Sequence, residues 1–384
     1  MLETQRFTLD GSAQLEKHLA HCCDRVLAGV SSVIPMSRLE GILLGGGYGR
    51  GEGGVLKTVE DDRPYNDMEF YVLIRGSSWL NERKFRATLH HLGEKLSPEA
   101  RLEIEFKVLS TQKLESSPIT MHYYDLIAGH RRLWGGKDLL RRCRHHRAAN
   151  TLPLSEATRL LMNRASGLLF SNSLLQKDKF TAEDADFVGR NQAKAQLAFG
   201  DVFLTAHGLY HASCRERNHR LRAFTPNENI PWFEKVRRYH NYGVDFKLHP
   251  HNTPPDREAL TACQGELVTV ALQLWLWLEA RRLRQRFSSA VEYALCPINK
   301  CPETALARNA FVNATTFGAP ALLQEKRFRY PRERLFNALS LLLWEPTTMR
   351  EPQLLHGVQS ELVTTTNDFN EMIGAYQSLW RRFS

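Results

Sequence analysis

Four carboxylates stand at alternate positions in two short stretches of the chain. Asp67 and Glu69 lie in Asn66-Asp67-Met68-Glu69-Phe70-Tyr71-Val72, and Glu103 and Glu105 lie in Leu102-Glu103-Ile104-Glu105-Phe106. In an extended chain alternate side chains share a face, roughly 6.5–7 Å apart along the strand. If the two strands are neighbours, three or four acids converge. Such a cluster repels itself and raises its own pKa values unless something compensates it. Clustered hard oxygen donors suit Mg²⁺, or Mn²⁺. Ions held there can activate an attacking oxygen and stabilise a leaving one in phosphoryl or nucleotidyl transfer. A second feature fits that chemistry. Gly46 and Gly47 carry no side chains, so their backbone N–H groups can approach a phosphate closely, and Arg50 follows with a forked guanidinium.

These residues need a frame. Leu15, Leu19, Cys22, Val26 and Val30 recur at steps of three and four, which predicts a helix over 12–31. Leu39 to Leu44 reads as a short apolar strand running into the glycine turn. Val55 to Val59 reads as a small strand closed by Asp61, Asp62 and Pro64. Nineteen residues separate Gly47 from Asp67, and a hairpin over 55–65 takes up that length. Met68 to Ile74 is strand-like, Trp79 to Leu96 helical, and Leu102 to Leu109 alternates, with Leu102, Ile104, Phe106 and Val108 opposite Glu103, Glu105 and Lys107.

An apolar strand, Gly46-Gly47, the continuation Arg50-Gly51-Glu52, then Asp67 and Glu69, then a third carboxylate at Glu105 or Glu103, resembles the nucleotidyltransferase superfamily of DNA polymerase beta. Its minimal and aminoglycoside-modifying branches are the nearest in pattern. Tyr124 to Gly136 also looks like the segment that closes the catalytic domain there. The resemblance covers about residues 12–140. It implies an α/β catalytic domain with a mixed sheet, Asp67, Glu69 and Glu105 as metal ligands, and Gly46, Gly47 and Arg50 on the nucleotide triphosphate. The implied reaction moves a nucleoside monophosphate from an NTP, ATP first among them, to an acceptor hydroxyl. An inactive nucleotide-binding or interaction protein of the same fold is the alternative.

The glycines permit other readings. Gly49-x-Gly51-x-x-Gly54 satisfies a dinucleotide fingerprint, but Val55-Leu-Lys-Thr-Val is not the helix that motif requires. A Walker A loop fails for want of Gly-Lys-Ser/Thr.

After about residue 150 the pattern becomes helical: Ser155–Gln176, Thr181 to about Tyr210, 257–287, 332–344 and 366–383, with 245–256 as a proline-rich linker. The fold class is therefore α+β, with a catalytic domain over 1–150 and an all-helical domain over 151–384, possible lobes being 151–250 and 256–384. Lys194 and Asp201 sit seven apart on one helix face; Lys194 is a candidate for nucleotide contact, an ion pair the plainer account.

The chain has 384 residues, 42% hydrophobic and 24% charged, which excludes wholesale disorder and disulfide-scaffold classes. No apolar run reaches the ~20 residues of a membrane span; Leu267 to Leu278 reads as a buried helix. Met1 to Asp10 shows no secretory pattern, and seven cysteines without a Cys-x-x-Cys pair fit reduced thiols, so a cytoplasmic location is expected. The net charge of +9 permits anionic partners. Basic clusters occur at Arg141–Arg147, Arg215–Arg222, Arg281–Arg286 and Lys326–Arg334; each can track a phosphate backbone or be a solvated face. Three acceptors fit: an RNA end, a protein or a small molecule.

Overall fold

The computed structural model describes residues 6–323 and 325–384. The predicted stripe becomes α1 (Ala13–Val33), started by Ser12, whose hydroxyl accepts the Leu15 N–H. The chain continues through β1 (Leu39–Leu44), a one-turn helix α2 (Gly46–Arg50), the hairpin β2 (Gly54–Lys57) and β3 (Asp62–Tyr65), and β4 (Met68–Ile74). Then come α3 (Ser78–Ala100), β5 (Ile104–Leu109), α4 (Thr111–Ser116), α5 (Met121–Ala128) and β6 (Arg131–Gly135). A 3₁₀ helix at Arg141–Arg147 follows.

Four strands form one mixed sheet in the order β5-β4-β1-β6. β4 runs parallel to β5, and β1 antiparallel to β4 and β6. Alternation decides what each face does. Ile42, Leu44, Phe70, Val72 and Ile104 join the buried residues of α1 and α3 in one core. Each such apolar side chain contributes roughly 1.5–3 kcal/mol when fully buried. Leu43, Tyr71 and Leu73 face the other way and pack with Leu114, Leu126, Ile127, Leu140 and Cys143. That second layer covers only part of its face, and Asp67, Glu69, Glu105 and Lys107 occupy the rest.

Two compact units result. The first runs to Pro153 and also takes in 207–225 and 241–252. It therefore contains α8 (Cys214–Ala223), which comes after α6 (Leu154–Leu175) and α7 (Ala182–Ala206), and the end of α9 (Phe233–Leu248). The sequence predicts one boundary near residue 150; the chain instead returns to the first unit twice. Residues 245–248, predicted as linker, complete α9.

The second unit is helical: α6, α7, α10 (Arg257–Leu283), α11 (Ala290–Leu295), α12 (Leu306–Phe317), α13 (Arg332–Trp344), α14 (Pro352–Leu362) and α15 (Phe369–Phe383). α10 is long and apolar enough to cross a membrane by length and composition. It packs against α6, α7 and α13, and Trp275 is fully buried among Tyr293, Phe336 and Trp344. The chain is thus α+β, with a small mixed sheet in its N-terminal region and helices after it.

Candidate metal centre

The carboxylates are brought together by strand register. Glu69 and Glu105 are direct partners across the parallel β4–β5 pair. Asp67 precedes β4, and the Met68 N–H donates to the Glu103 carbonyl at 2.9 Å, which aligns the two strand starts. Asn66 turns the chain there with φ 70°, a left-handed conformation that asparagine tolerates better than most residues. One oxygen each from Asp67, Glu69 and Glu105 lies within 4.8 Å of the others, and all three residues are half-buried. Glu103 is exposed and outside this group. It borders a cavity of about 980 Å³ between β5 and α3, which Glu105 and Lys107 also reach.

The glycine turn closes on the same place. The Gly45 N–H donates to the Glu69 carbonyl at 2.9 Å. A Cβ on Gly46 would stand 3.5 Å from Glu69 Oε2, and φ there is +61°. So the start of α2 meets the carboxylate with no side chain between. Helix geometry also leaves the first-turn N–H groups without intrahelical acceptors. Gly47 is tighter: a Cβ would lie 2.8 Å from the Glu52 carbonyl oxygen. Tyr48, buried beneath, ties the turn to the hairpin. Its hydroxyl donates to the Tyr65 carbonyl and accepts the Tyr65 N–H, both at 2.8 Å. The hairpin absorbs the long gap between glycines and acids as the spacing predicts.

Lys107 is the member of this site that sequence reasoning left without a role. Its Nζ donates to Glu69 Oε1 at 2.8 Å and lies 3.3 Å from Glu105 Oε2. The signal was present, since Lys107 alternates with Glu105 on the acidic face. The consequences are opposite for the two β4 acids. Burial and the neighbouring charges of Glu69 and Glu105 raise the Asp67 pKa. Burial also pushes Glu69 up, but the Lys107 charge and hydrogen bond, His122 and the Tyr71 hydroxyl outweigh it and leave Glu69 lowered. Burial disfavours the Lys107 cation, yet Glu69 and Glu105 hold its pKa above the ordinary value. Tyr71 donates to Glu69 Oε2 at 3.2 Å and packs on the His122 ring, centroids 5.6 Å apart. His122 carried no sequence signal; α5 brings it there.

One lysine against three carboxylates leaves the cluster negative. The donors are all oxygen, and burial together with the Glu69 and Glu105 charges holds Asp67 above its ordinary pKa. Those features fit a hard divalent cation on Asp67, Glu69 and Glu105.

Arg50 turns toward Gly129 and Asp125. Its side chain lies over Gly129, where a Cβ would meet Cγ and Cδ at 2.6 and 2.5 Å. Its charge acts on Asp125, whose pKa burial raises against the pull of Arg50, Arg217 and Lys247. The Tyr210 hydroxyl lies 3.1 and 3.2 Å from the two Asp125 oxygens. Glu52 is a helix anchor: Ser213 Oγ and the N–H groups of Cys214 and Arg215 donate to it at the start of α8. Lys194 lies in the second unit, exposed on α7. Asp201 is buried on that helix, its Oδ1 3.0 Å from His240 Nε2, so the two do not share an environment. Comparison with protein families, with curated proteins and with solved structures returned no match.

Proposed function

We propose that the first unit has the nucleotidyltransferase fold and that the protein moves a nucleoside monophosphate from an NTP, ATP foremost, to an acceptor hydroxyl with release of pyrophosphate. The observation that carries this is the meeting of Asp67, Glu69 and Glu105 beside the bare backbone of Gly46. Asp67, Glu69 and Glu105 would hold Mg²⁺ or Mn²⁺, which supplies charge neutralisation on phosphate oxygens and activation of the acceptor oxygen. The chain's own groups do the rest. Gly46 and Gly47 offer N–H groups to the triphosphate, and Arg50 adds positive charge under the turn. Glu105, more open than Glu69, would take the acceptor proton. The acceptor oxygen forms a new bond to the α-phosphorus as the bond to pyrophosphate breaks.

The test is incubation of the protein with each α-labelled NTP, Mg²⁺ or Mn²⁺, and a cell extract. Label should enter one fraction and pyrophosphate should appear. Asp67→Ala should abolish both, and full transfer by that variant would rule the site out.

Lys107 favours a second reading, that of an inactive nucleotide-binding or interaction protein. Its ammonium sits against Glu69 and Glu105 where a cation would serve an active site. Nucleotide binding with no pyrophosphate release from any NTP would select it.

A further inference from the structure

A 3₁₀ helix has three residues per turn, so positions i, i+3 and i+6 eclipse one another. Arg141-Arg142-Cys143-Arg144-His145-His146-Arg147 adopts that form, which sorts it into three columns. Cys143 and His146 are buried, and His146 Nε2 lies 2.9 Å from the Leu114 carbonyl. Arg142 pairs with Glu115 at 3.8 Å, and His145 Nε2 lies 3.3 Å from the Ser117 carbonyl. The third column is Arg141, Arg144 and Arg147. All three are exposed, and among the described residues none of their side chains has an ion-pair or hydrogen-bond partner. With Arg132 and Lys137 they line a cavity of about 200 Å³, in which Asp138 is the single acid against five cations.

We propose that this arginine column holds the phosphate backbone of a single-stranded RNA. Three stacked like charges repel one another, and no internal contact repays that cost. A repeating anion would. The column's pitch is about 6 Å, three residues at ~2.0 Å each. That suits consecutive phosphates of one strand, and the RNA sugar pucker draws its phosphates closer together than those of DNA. Each guanidinium offers a planar fork that matches a phosphate. The cavity also includes Leu43, which pairs with Tyr71 across β1 and β4. Tyr71 and Glu69 are two apart on β4, so the column and the carboxylates serve one sheet face. The choice of RNA rests on the nucleotidyl-transfer proposal, in which the strand's 3′ hydroxyl is an acceptor.

Binding is measured without turnover, so the two ideas fail separately. The full chain carrying Asp67→Ala, in chelator, is titrated into a short labelled RNA and followed by fluorescence anisotropy between ~50 and ~200 mM salt. Circular dichroism melting verifies that each variant folds like its parent. Arg141→Ala/Arg144→Ala/Arg147→Ala should weaken binding at least ~10-fold and reduce the salt slope by about 2, at ~0.7 per phosphate contact on single strands. Arg142→Ala, in the neighbouring column, should change neither. Unaltered affinity and slope in the triple variant would overturn the proposal. So would equal affinity for DNA of the same sequence, or a preference for polyglutamate or anionic vesicles. RNA binding that depends on the column, together with no label transfer by the wild type, would remove the transferase reading while leaving the RNA column standing.

Discussion

At the scale of single residues, the acids are informative because they cost stability where they stand. Asp67 is partly buried beside Glu69 and Glu105, and that surrounding disfavours its charge. Among the described residues Lys107 is the lysine that pairs with the group. Replacing Asp67 with asparagine should therefore raise the melting temperature of the metal-free protein by a few degrees, while ending transfer. It should also erase the stabilisation by Mg²⁺ expected of the wild type, since a ligand that binds only the folded state raises its stability. Thermal melts with and without Mg²⁺ check both points. A variant that melts lower than wild type and still responds to Mg²⁺ would count against the carboxylate cluster.

At the scale of elements, two buried carboxylates hold helices in place. Glu52 fastens the start of α8 to the chain after the glycine turn. Burial raises its pKa, but the Ser213 hydroxyl, the Cys214 N–H and the charge of Lys247 outweigh that and leave it lowered. A depressed folded-state value means that the unfolded chain binds the proton more readily. The contribution is then fully present above the unfolded-state pKa and disappears as pH falls through the folded-state one. Glu52→Gln should cost about 1–3 kcal/mol at neutral pH, and the gap from wild type should close in acid. Denaturant melts across that range measure it. In the second unit Glu279, fully buried, accepts from Thr158 and Tyr293 at 2.7 and 2.8 Å and pairs with Arg282. Glu279→Ala leaves the buried Arg282 guanidinium with only its 3.8 Å contact to Glu303 and should cost about 3–5 kcal/mol in the same assay.

The same elements show how far the sequence could be read. β1 runs over Leu39–Leu44 as its apolar pattern predicts, and β4 over Met68–Ile74. Period-two alternation survives into β5, because one face packs on α3. Apart from the β2–β3 hairpin, the short elements did not announce themselves. α2 is five residues of glycine, tyrosine and arginine, too short for any period. β6, rich in arginine, became a strand because it pairs with β1. α5 is eight residues long, yet it carries His122 and Asp125 to the first unit's polar groups. Such segments take their form from neighbours rather than from their own pattern.

At the scale of the whole molecule, the division into units matters more than length. Residues 207–225 and 241–252 belong to the first unit, although α6 and α7 separate them from the sheet in sequence. They supply Ser213 and Cys214 to Glu52, and Tyr210 to Asp125. A fragment ending at Pro153 lacks those partners and the burial those segments supply. That fragment should aggregate or melt without a cooperative transition, whereas the full chain should melt cooperatively. Calorimetry and limited proteolysis of the two would show it. A fragment that melts sharply would mean that the returning segments contribute little.

The sequence by itself determined the α+β class, the order of strands and helices around the glycine turn, and the alternation that sets Asp67 with Glu69 and Glu105 with Lys107. These follow from local rules of period and turn chemistry, which a chain carries wherever it folds. Tertiary structure decided the rest. The parallel register of β4 and β5 picked Glu105 over Glu103, because pairing fixes which residue stands opposite Glu69. Packing of α4, α5 and the 3₁₀ helix over half a sheet face left the acids on the uncovered half. Return of distant segments to the first unit gave Glu52 its partners, a contact across 161 residues that no local pattern encodes.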